Sequence, residues 1–353
     1  MTIPFYATRE EIKAELDVKE TARSNARIDR ALADATEAVD GMTHRTFYPV
    51  VDIRKFDWPP RAGMTPWILR LDANELISVT SLTSGGVTIA LGDFLLRRAD
   101  DKAEPPYTRI EINLGGDASF GGGDTYQQDI VVTGLFGYRN DETTLGTTAE
   151  ALDVSETSVD VDAATSAAAG IGSLLRVDSE RMVVTGRAQL DTGQTLGGSG
   201  LTNLNSATAV TVQSGSAFAP GEIILIDAEK MRVDDVAGNT LVVTRPWDGT
   251  TIAAHSVGAA IYAPRTLTVQ RGALGTTAAA HLTAATVYRW DAPGSVRQLC
   301  VAEALTDLLQ GRSGYARTAG SGENEREMSG RGLKDLRERV YASHGRKGRV
   351  RSV

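Results

Sequence analysis

LVVTRPWDGTTIAAHSVGAAIY runs from 241 to 262, and LTVQRGALGTTAAAHLTAATVY runs from 267 to 288. The two match at a fixed offset of 26, pairing Arg245 with Arg271, Gly249 with Gly275, His255 with His281 and Tyr262 with Tyr288. Each reads as a strand, a turn at the glycine, a short Ala-rich segment and a returning strand. A second echo lies upstream: GSLLRVDSERMVV (172–184) matches GEIILIDAEKMRV (221–233) at an offset of 49. Each has a β run, Asp-x-Glu, a basic residue, Met and more β. TGQTL (192–196) echoes AGNTL (237–241), and TSVDVDAATS (157–166) precedes the first run as TAVTVQSGSA (208–217) precedes the second. Residues 143–290 therefore read as an all-β domain of two tandem modules, about 143–200 and 201–290. In this division the first module lacks the GTT-x-A-A-H hairpin.

The repeated histidine could be a catalyst or a brace. A histidine general base needs an orienting partner and a nucleophile or substrate beside it, and no such arrangement surrounds either copy in the sequence. A residue duplicated inside a duplicated hairpin is expected to be structural, for example through ring N–H bonds to a turn carbonyl. The Asp178/Glu180 and Asp227/Glu229 pairs offer oxygens of the kind Ca²⁺ takes, but two carboxylates are too few for such a site. They read instead as hairpin turns with solvated acids. P-loop, GxSxG, HExxH and EF-hand patterns are absent. The single cysteine, Cys300, excludes an internal disulfide and a Cys-based zinc site, and it falls on the apolar side of a predicted helix. No catalytic residue, metal site or cofactor is expected, and an enzyme is not.

The flanks differ from the repeats. Thr8 and Glu11 form a capping box that starts a short helix to about Leu16. Ile28, Ala31, Leu32, Ala35, Val39 and Met42 make an apolar stripe for a longer helix over 24–42. From about 51 to 138 the period changes to two, with candidate strands at 53–58, 67–72, 77–84, 87–92, 94–99, 108–114 and 129–138. GGDASFGGGD (115–124) is a loop between the last two. Helical spacing returns after Pro293 in SVRQLCVAEALTDLLQG. GYARTAGSGENERE (314–327) reads as a loop. LKDLRERVYA (333–342) is a last helix with Leu333, Leu336, Val340 and Tyr341 aligned.

The chain has 353 residues and a net charge of −8, yet its last 23 residues carry eight Lys or Arg against two acids. An acidic body with a basic tail suggests docking on an acidic partner or on nucleic acid. GRKGRVR (345–351) alone would give only non-specific nucleic-acid affinity, and KGRVRSV has too few apolar residues to fold by itself. No apolar run reaches the ~20 residues of a membrane helix, and MTIPFYATREE has no secretory signal pattern. A cytoplasm, or a particle assembled there, is the expected location.

With 143–290 set aside, the remaining segments fall in a recognisable order. The opening Tyr6-Ala7-Thr8-Arg9-Glu10-Glu11, the helix ALADATEAVDGMTHRTFYP (31–49), Val132-Thr133-Gly134-Leu135-Phe136-Gly137-Tyr138 and the helix after Pro293 resemble the head–tail connector (adaptor) proteins of long-tailed bacteriophages. The resemblance rests on the order of segments rather than on one motif, and it covers about 200 residues. The inserted β modules depart from minimal family members, although their Gly-Thr-x-x-Ala-x-His hairpins resemble β repeats of other phage structural proteins. The resemblance implies an α+β fold: a small helical-bundle core with β segments (1–142 and 291–330), the inserted β domain, and a C-terminal helix and tail (331–353). It implies a virion protein at the head–tail interface, in which about twelve copies ring the portal protein and extend the DNA channel. Genomic DNA would pass without sequence-specific binding, and a tail-side head-completion or tail-terminator protein would dock below. The portal-binding residues it implies are Leu333, Leu336, Arg337, Val340, Tyr341, Arg346, Lys347, Arg349 and Arg351. The competing reading is a β-rich binding or decoration protein of the adhesin or carbohydrate-binding type. Clustered exposed aromatics would favour it, and the insert offers only Phe218, Trp247, Tyr262, Tyr288 and Trp290.

Overall fold

Alternation of apolar and polar residues from Val50 onward makes strands, and the strands dominate the chain. The computed structural model describes residues 3–16, 22–58, 65–98, 100, 102–312, 318–319, 326–327 and 331–346. Among the described residues strands account for 36% and helices for 22%. The expected helical-bundle core with accessory β segments is thereby overturned. The reason is visible in the period-two stretch, which carries enough inward side chains to build a core of its own.

The chain divides into two units. One comprises Met1–Val39, Glu142–Ala273 and Thr277–Ser343; the other comprises Asp40–Asp141, Leu274–Thr276 and the residues from His344. In the second unit β1 (Val50–Phe56), β2 (Ile68–Arg70), β3 (Leu76–Ser84), β4 (Val87–Ile89), β5 (Phe94–Arg97), β6 (Arg109–Ile112) and β7 (Ile130–Phe136) form two antiparallel sheets, ordered β1-β7-β3-β4 and β2-β6-β5. Leu82, Ile130, Val132 and Phe136 from the first sheet meet Leu69, Phe94, Ile110 and Ile112 from the other in one core. Burying each such side chain stabilises by roughly 1.5–3 kcal/mol, so no helix is needed to cover them. Gly137, in the segment that carries the connector resemblance, has φ 135°, and a Cβ there would lie 2.5 Å from the Tyr48 carbonyl oxygen.

In the first unit Thr8 and Glu11 close the capping box of α1 (Arg9–Leu16): the Thr8 N–H donates to Glu11 Oε2 at 3.0 Å and the Glu11 N–H to Thr8 Oγ1 at 3.3 Å. α2 (Ala22–Thr43) buries Ile28, Ala31, Leu32, Ala35 and Val39, and pairs with α1 through Arg9 and Asp29. α4 (Gly294–Arg312) buries Val296, Leu299, Cys300, Ala304 and Leu308. Cys300 Sγ lies 3.7 Å from Thr36 Oγ1, and burial pushes its thiol up to about 11, so it stays protonated. α5 (Arg331–His344) buries Leu336 and Val340. Of the expected loop 314–327, only Thr318–Ala319 and Arg326–Glu327 are described, as a short antiparallel pair. No helix among the described residues is long and apolar enough to cross a membrane.

The rest of this unit is one ten-stranded antiparallel sheet. Its members are β8 (Glu142–Thr147), β9 (Ser158–Asp160), β10 (Leu174–Val177), β11 (Glu180–Thr195), β12 (Ala209–Thr211), β13 (Ile223–Ile226), β14 (Glu229–Ala237), β15 (Thr240–Thr244), β16 (Ala260–Gln270) and β17 (Thr286–Trp290). A short α3 (Ala163–Ala168), N-capped by Asp162, follows β9.

The ladders show that the duplication is nested rather than tandem. Hairpin β10–β11 pairs Leu174 with Val183 as β13–β14 pairs Ile223 with Arg232. β17 lies on β10 (Arg176 with Tyr288) as the start of β16 lies on β13 (Leu225 with Tyr262). The end of β16 lies on β11 as β15 lies on β14, with the same β-bulge in both, between Val184 and Gly186 and between Val233 and Asp235. β9 on β16 repeats as β12 on β15. One copy is therefore 142–188 joined to 266–290, and the other is 190–263. In the second copy, Gly238 and Asn239 make the turn between Ala237 and Thr240; in the first, the equivalent Ala188 and Thr266 are separated by the entire second copy. Both copies consequently own a GTT-x-A-A-H hairpin. The first-copy hairpin lies beyond the insertion, which is why a cut near residue 200 assigns both hairpins to one module. The TGQTL–AGNTL echo is not a structural equivalence, since Gly238–Asn239 is a turn and 192–194 belongs to β11.

Candidate functional site

The four residue types that recur in both copies meet at one place in each. The Asp-x-Glu sequence sits where each two-residue hairpin turns, between β10 and β11 and between β13 and β14. Asp178 (φ 50°) and Asp227 (φ 52°) adopt the left-handed conformation, which aspartate tolerates better than most residues. The glutamate two positions later starts the return strand and points inward.

In the second copy Glu229 is fully buried. Arg245 Nε donates to Glu229 Oε1 at 2.8 Å and Arg245 Nη2 to Oε2 at 2.6 Å, a bidentate fork. The Ala253 N–H donates to Oε2 at 2.8 Å, and His255 Nε2 lies 3.0 Å from the same oxygen. The other ring nitrogen, Nδ1, lies 2.7 Å from Asp227 Oδ2. Arg245 spends its remaining donors on the carbonyls of Thr202, Ala207 and Ala253.

The first copy repeats this atom for atom. Arg271 donates to Glu180 at 2.7 and 2.8 Å, and the Ala279 N–H donates at 3.0 Å. His281 Nε2 lies 2.9 Å from Glu180 Oε2, and Nδ1 lies 2.8 Å from Asp178 Oδ2. Arg271 also serves the carbonyls of Asp153, Glu156 and Ala279. One donor is added: the Gly272 N–H reaches Glu180 Oε1 at 2.8 Å, where the second copy has Pro246 and no N–H.

Burial alone would push the Glu180 carboxyl up. The hydrogen bonds from Arg271, Ala279, His281 and Gly272 outweigh it and hold the group at about 2. Glu229 is likewise held below its ordinary value, burial again being opposed by Arg245, Ala253 and His255. Each histidine ring thus lies between two carboxylates, one on each nitrogen.

This arrangement binds chain to chain and leaves little for substrate. Both histidines are 4% exposed, and both ring nitrogens are engaged. The expected turn-carbonyl partner is replaced by two carboxylates. The glutamates, read from sequence as solvated acids, are buried; only the aspartates are exposed. Among the described residues no group of three or more His, Cys, Asp or Glu could hold a metal ion. In the sequence Arg245 and Arg271 stand out as a repeated pair, but nothing beside either one names its glutamate. The usable signal was that Asp, Glu, Arg and His all recur together, although the offset differs between the two pairs.

The residues singled out at the C-terminus are placed differently from one another. Leu336 and Val340 are buried within the first unit, Leu333 is half-buried and Tyr341 is 39% exposed. Arg337 Nη2 donates to Glu303 at 2.7 Å, and this pairing raises its own pKa. In the second unit His344 packs edge-on to Phe47 and Tyr138, with Nδ1 3.1 Å from the Tyr138 hydroxyl. Burial, then Arg45 and Arg139, push the His344 pKa down. The Arg346 N–H donates to the Thr43 carbonyl at 2.9 Å, and its guanidinium lies 3.5 Å from Glu75. Lys347, Arg349 and Arg351 lie outside the described residues.

No protein-family description, no curated protein and no solved structure matches this chain.

Proposed function

We propose that this chain is a structural virion protein that rings the portal of a long-tailed bacteriophage, joins the DNA-filled head to the tail and extends the DNA channel. The observation that carries the reading is the order of elements around the nested sheet. Two N-terminal helices are followed by the β unit ending in Val132–Tyr138, then by α4, then by α5 and a basic terminus. The duplicated clasps add to it, because they spend the chain's recurring charged residues on rigidity. Genomic DNA would slide past an acidic body without being gripped, since grip requires cations against phosphates.

Portal contact would fall to the solvent-facing side of α5, with Tyr341 and Arg337, and to the basic terminus from Arg346. Leu336 and Val340 support that face from inside. The opposing reading, a sugar-binding decoration protein, is disfavoured because Tyr262 alone of the insert's five aromatics is exposed, where such a site would show a cluster. Arg176 stacks 4.2 Å over Tyr288 and Arg232 4.6 Å over Trp247, while Phe218 and Trp290 are buried.

Light scattering with negative-stain imaging of the full chain, alone and mixed with its cognate portal, tests the proposal. A closed ring, or a collar on the portal that is lost when the chain is cut after Arg346, is the expected outcome. A monomer that ignores the portal in both forms would sink it, and binding to a glycan array would then favour the decoration reading.

A further inference from the structure

The second unit holds a cleft of about 400 Å³, of whose lining the roles above use only Arg346. Three guanidiniums line it, from Arg45, Arg54 and Arg346, against two carboxylates, Asp40 and Glu75. Glu75 is 5% exposed and is shared: Arg45 lies 3.1 Å from one oxygen and Arg346 3.5 Å from the other. Arg45 and Arg346 therefore share one carboxylate, while Asp40 and, through Arg54, Asp52 bring the acids at the cleft to three.

The arginines are also held in place. The Arg54 guanidinium carbon lies over the Phe136 ring, 4.1 Å from its centroid, and that of Arg45 lies 5.2 Å from the Tyr138 ring centroid. Asp52 and Asn74 occupy two of the five N–H donors of Arg54. Arg45 Nε is a buried donor with no hydrogen-bond acceptor. An unmet buried donor costs stability. Burial, helped by Asp40, pushes the Tyr48 phenol up to about 12, so this lining residue also stays protonated.

We propose that this cleft is a binding site for the carboxylate side chains of an acidic peptide segment on a partner protein. Planar guanidinium forks match carboxylates two bonds at a time. Nucleic acid fits less well. It would need many phosphate contacts over an open basic surface, whereas here the cations converge on one concavity of a chain with net charge −8. The sequence beyond Arg346 adds Lys347, Arg349 and Arg351, which would draw the same kind of partner. The proposal is independent of ring formation.

Fluorescence anisotropy of a labelled octaglutamate peptide, titrated with the full-length protein, reads the site. The expected result is salt-sensitive binding that weakens at least tenfold in Arg45→Gln/Arg54→Gln and is unchanged in Arg27→Gln, an exposed arginine of α2. Melting curves establish that the variants are folded. Hydrogen-exchange protection of the wild-type protein by the peptide, expected over 40–54 and 344–346, reads the site without any variant. Absence of peptide binding, or protection confined to other segments, overturns the proposal. Tighter binding of an equally charged oligothymidine that depends on the same arginines overturns it in favour of nucleic acid.

Discussion

The two copies of the β module share their ladders, their bulge and their clasp, yet they differ in continuity and in one hydrogen bond. The 190–263 copy is an uninterrupted stretch of chain. The other is split, its halves separated by the whole of the first-named copy. The clasp holds its geometry in both, within a few tenths of an ångström in every shared contact. What varies is the residue after the arginine, Gly272 or Pro246. A bidentate arginine, a histidine and one backbone N–H therefore suffice to hold the buried glutamate, and a second backbone N–H is an addition.

If the clasps hold each copy together, the largest effects should come from their centres. Glu180→Ala or Glu229→Ala leaves a buried guanidinium and a buried imidazole without their carboxylate. Each is expected to cost about 3–5 kcal/mol, the usual loss when one partner of a buried pair is removed. Urea denaturation of both variants measures it. A loss below about 1 kcal/mol, the size of an exposed pair, would show that the clasp is incidental.

Removing a histidine should cost less, because the arginine fork remains. His281→Phe and His255→Phe each strip one bond from the glutamate and one from the exposed aspartate. About 1–3 kcal/mol is expected for each. A much larger loss in one copy than in the other would break the equivalence, which melting of the two variants side by side would reveal.

Acid should loosen the clasps in a defined window. The Glu180 carboxyl stands at about 2 in the folded chain against an ordinary 4.5. A depressed carboxyl stabilises the fold fully above the unfolded value, and that contribution fades as pH falls from about 4.5 towards 2. Stability of the wild-type chain should therefore decline across this window, and the decline should be shallower in Glu180→Gln. Identical slopes would show that other carboxylates carry the acid sensitivity.

The sequence disclosed some of this and hid the rest for definable reasons. The capping box, the apolar stripes of α2 and α4 and the seven strands between Val50 and Phe136 were legible because each signal is local. The repeats were legible too, since Asp-x-Glu and GTT-x-A-A-H survive as words. Their nesting was not, because it lies in which strand pairs with which. The offsets of 49 and 26 look like two unrelated echoes until β16 is seen to serve both copies, its start on β13 and its end on β11. The clasp was hidden likewise: Glu180 and Arg271 are 91 residues apart, and nothing in either neighbourhood names the other. The helical core was misjudged because the resemblance was carried by helices, while Leu69, Leu82, Ile110 and Val132 were already forming a core between two sheets.

The nesting itself yields the smallest expected effect and the sharpest test. Replacing residues 189–265 with Gly-Asn, the turn that joins β14 to β15, should leave the split copy folded. In an unstructured chain, shortening a loop this far would favour closure by about 3 kcal/mol. Here the intervening copy is folded and pairs Leu190 with Ala263, so its ends are already side by side. The closing hairpin should gain little, and the remaining clasp of Glu180, Arg271, His281 and Asp178 loses none of its members. A melting temperature within a few degrees of the parent, with ring protons of His281 still slow to exchange, is the expected outcome. An unfolded product would mean that the two copies depend on one another along β11 and β16, and that the sheet, rather than the module, is the folding unit.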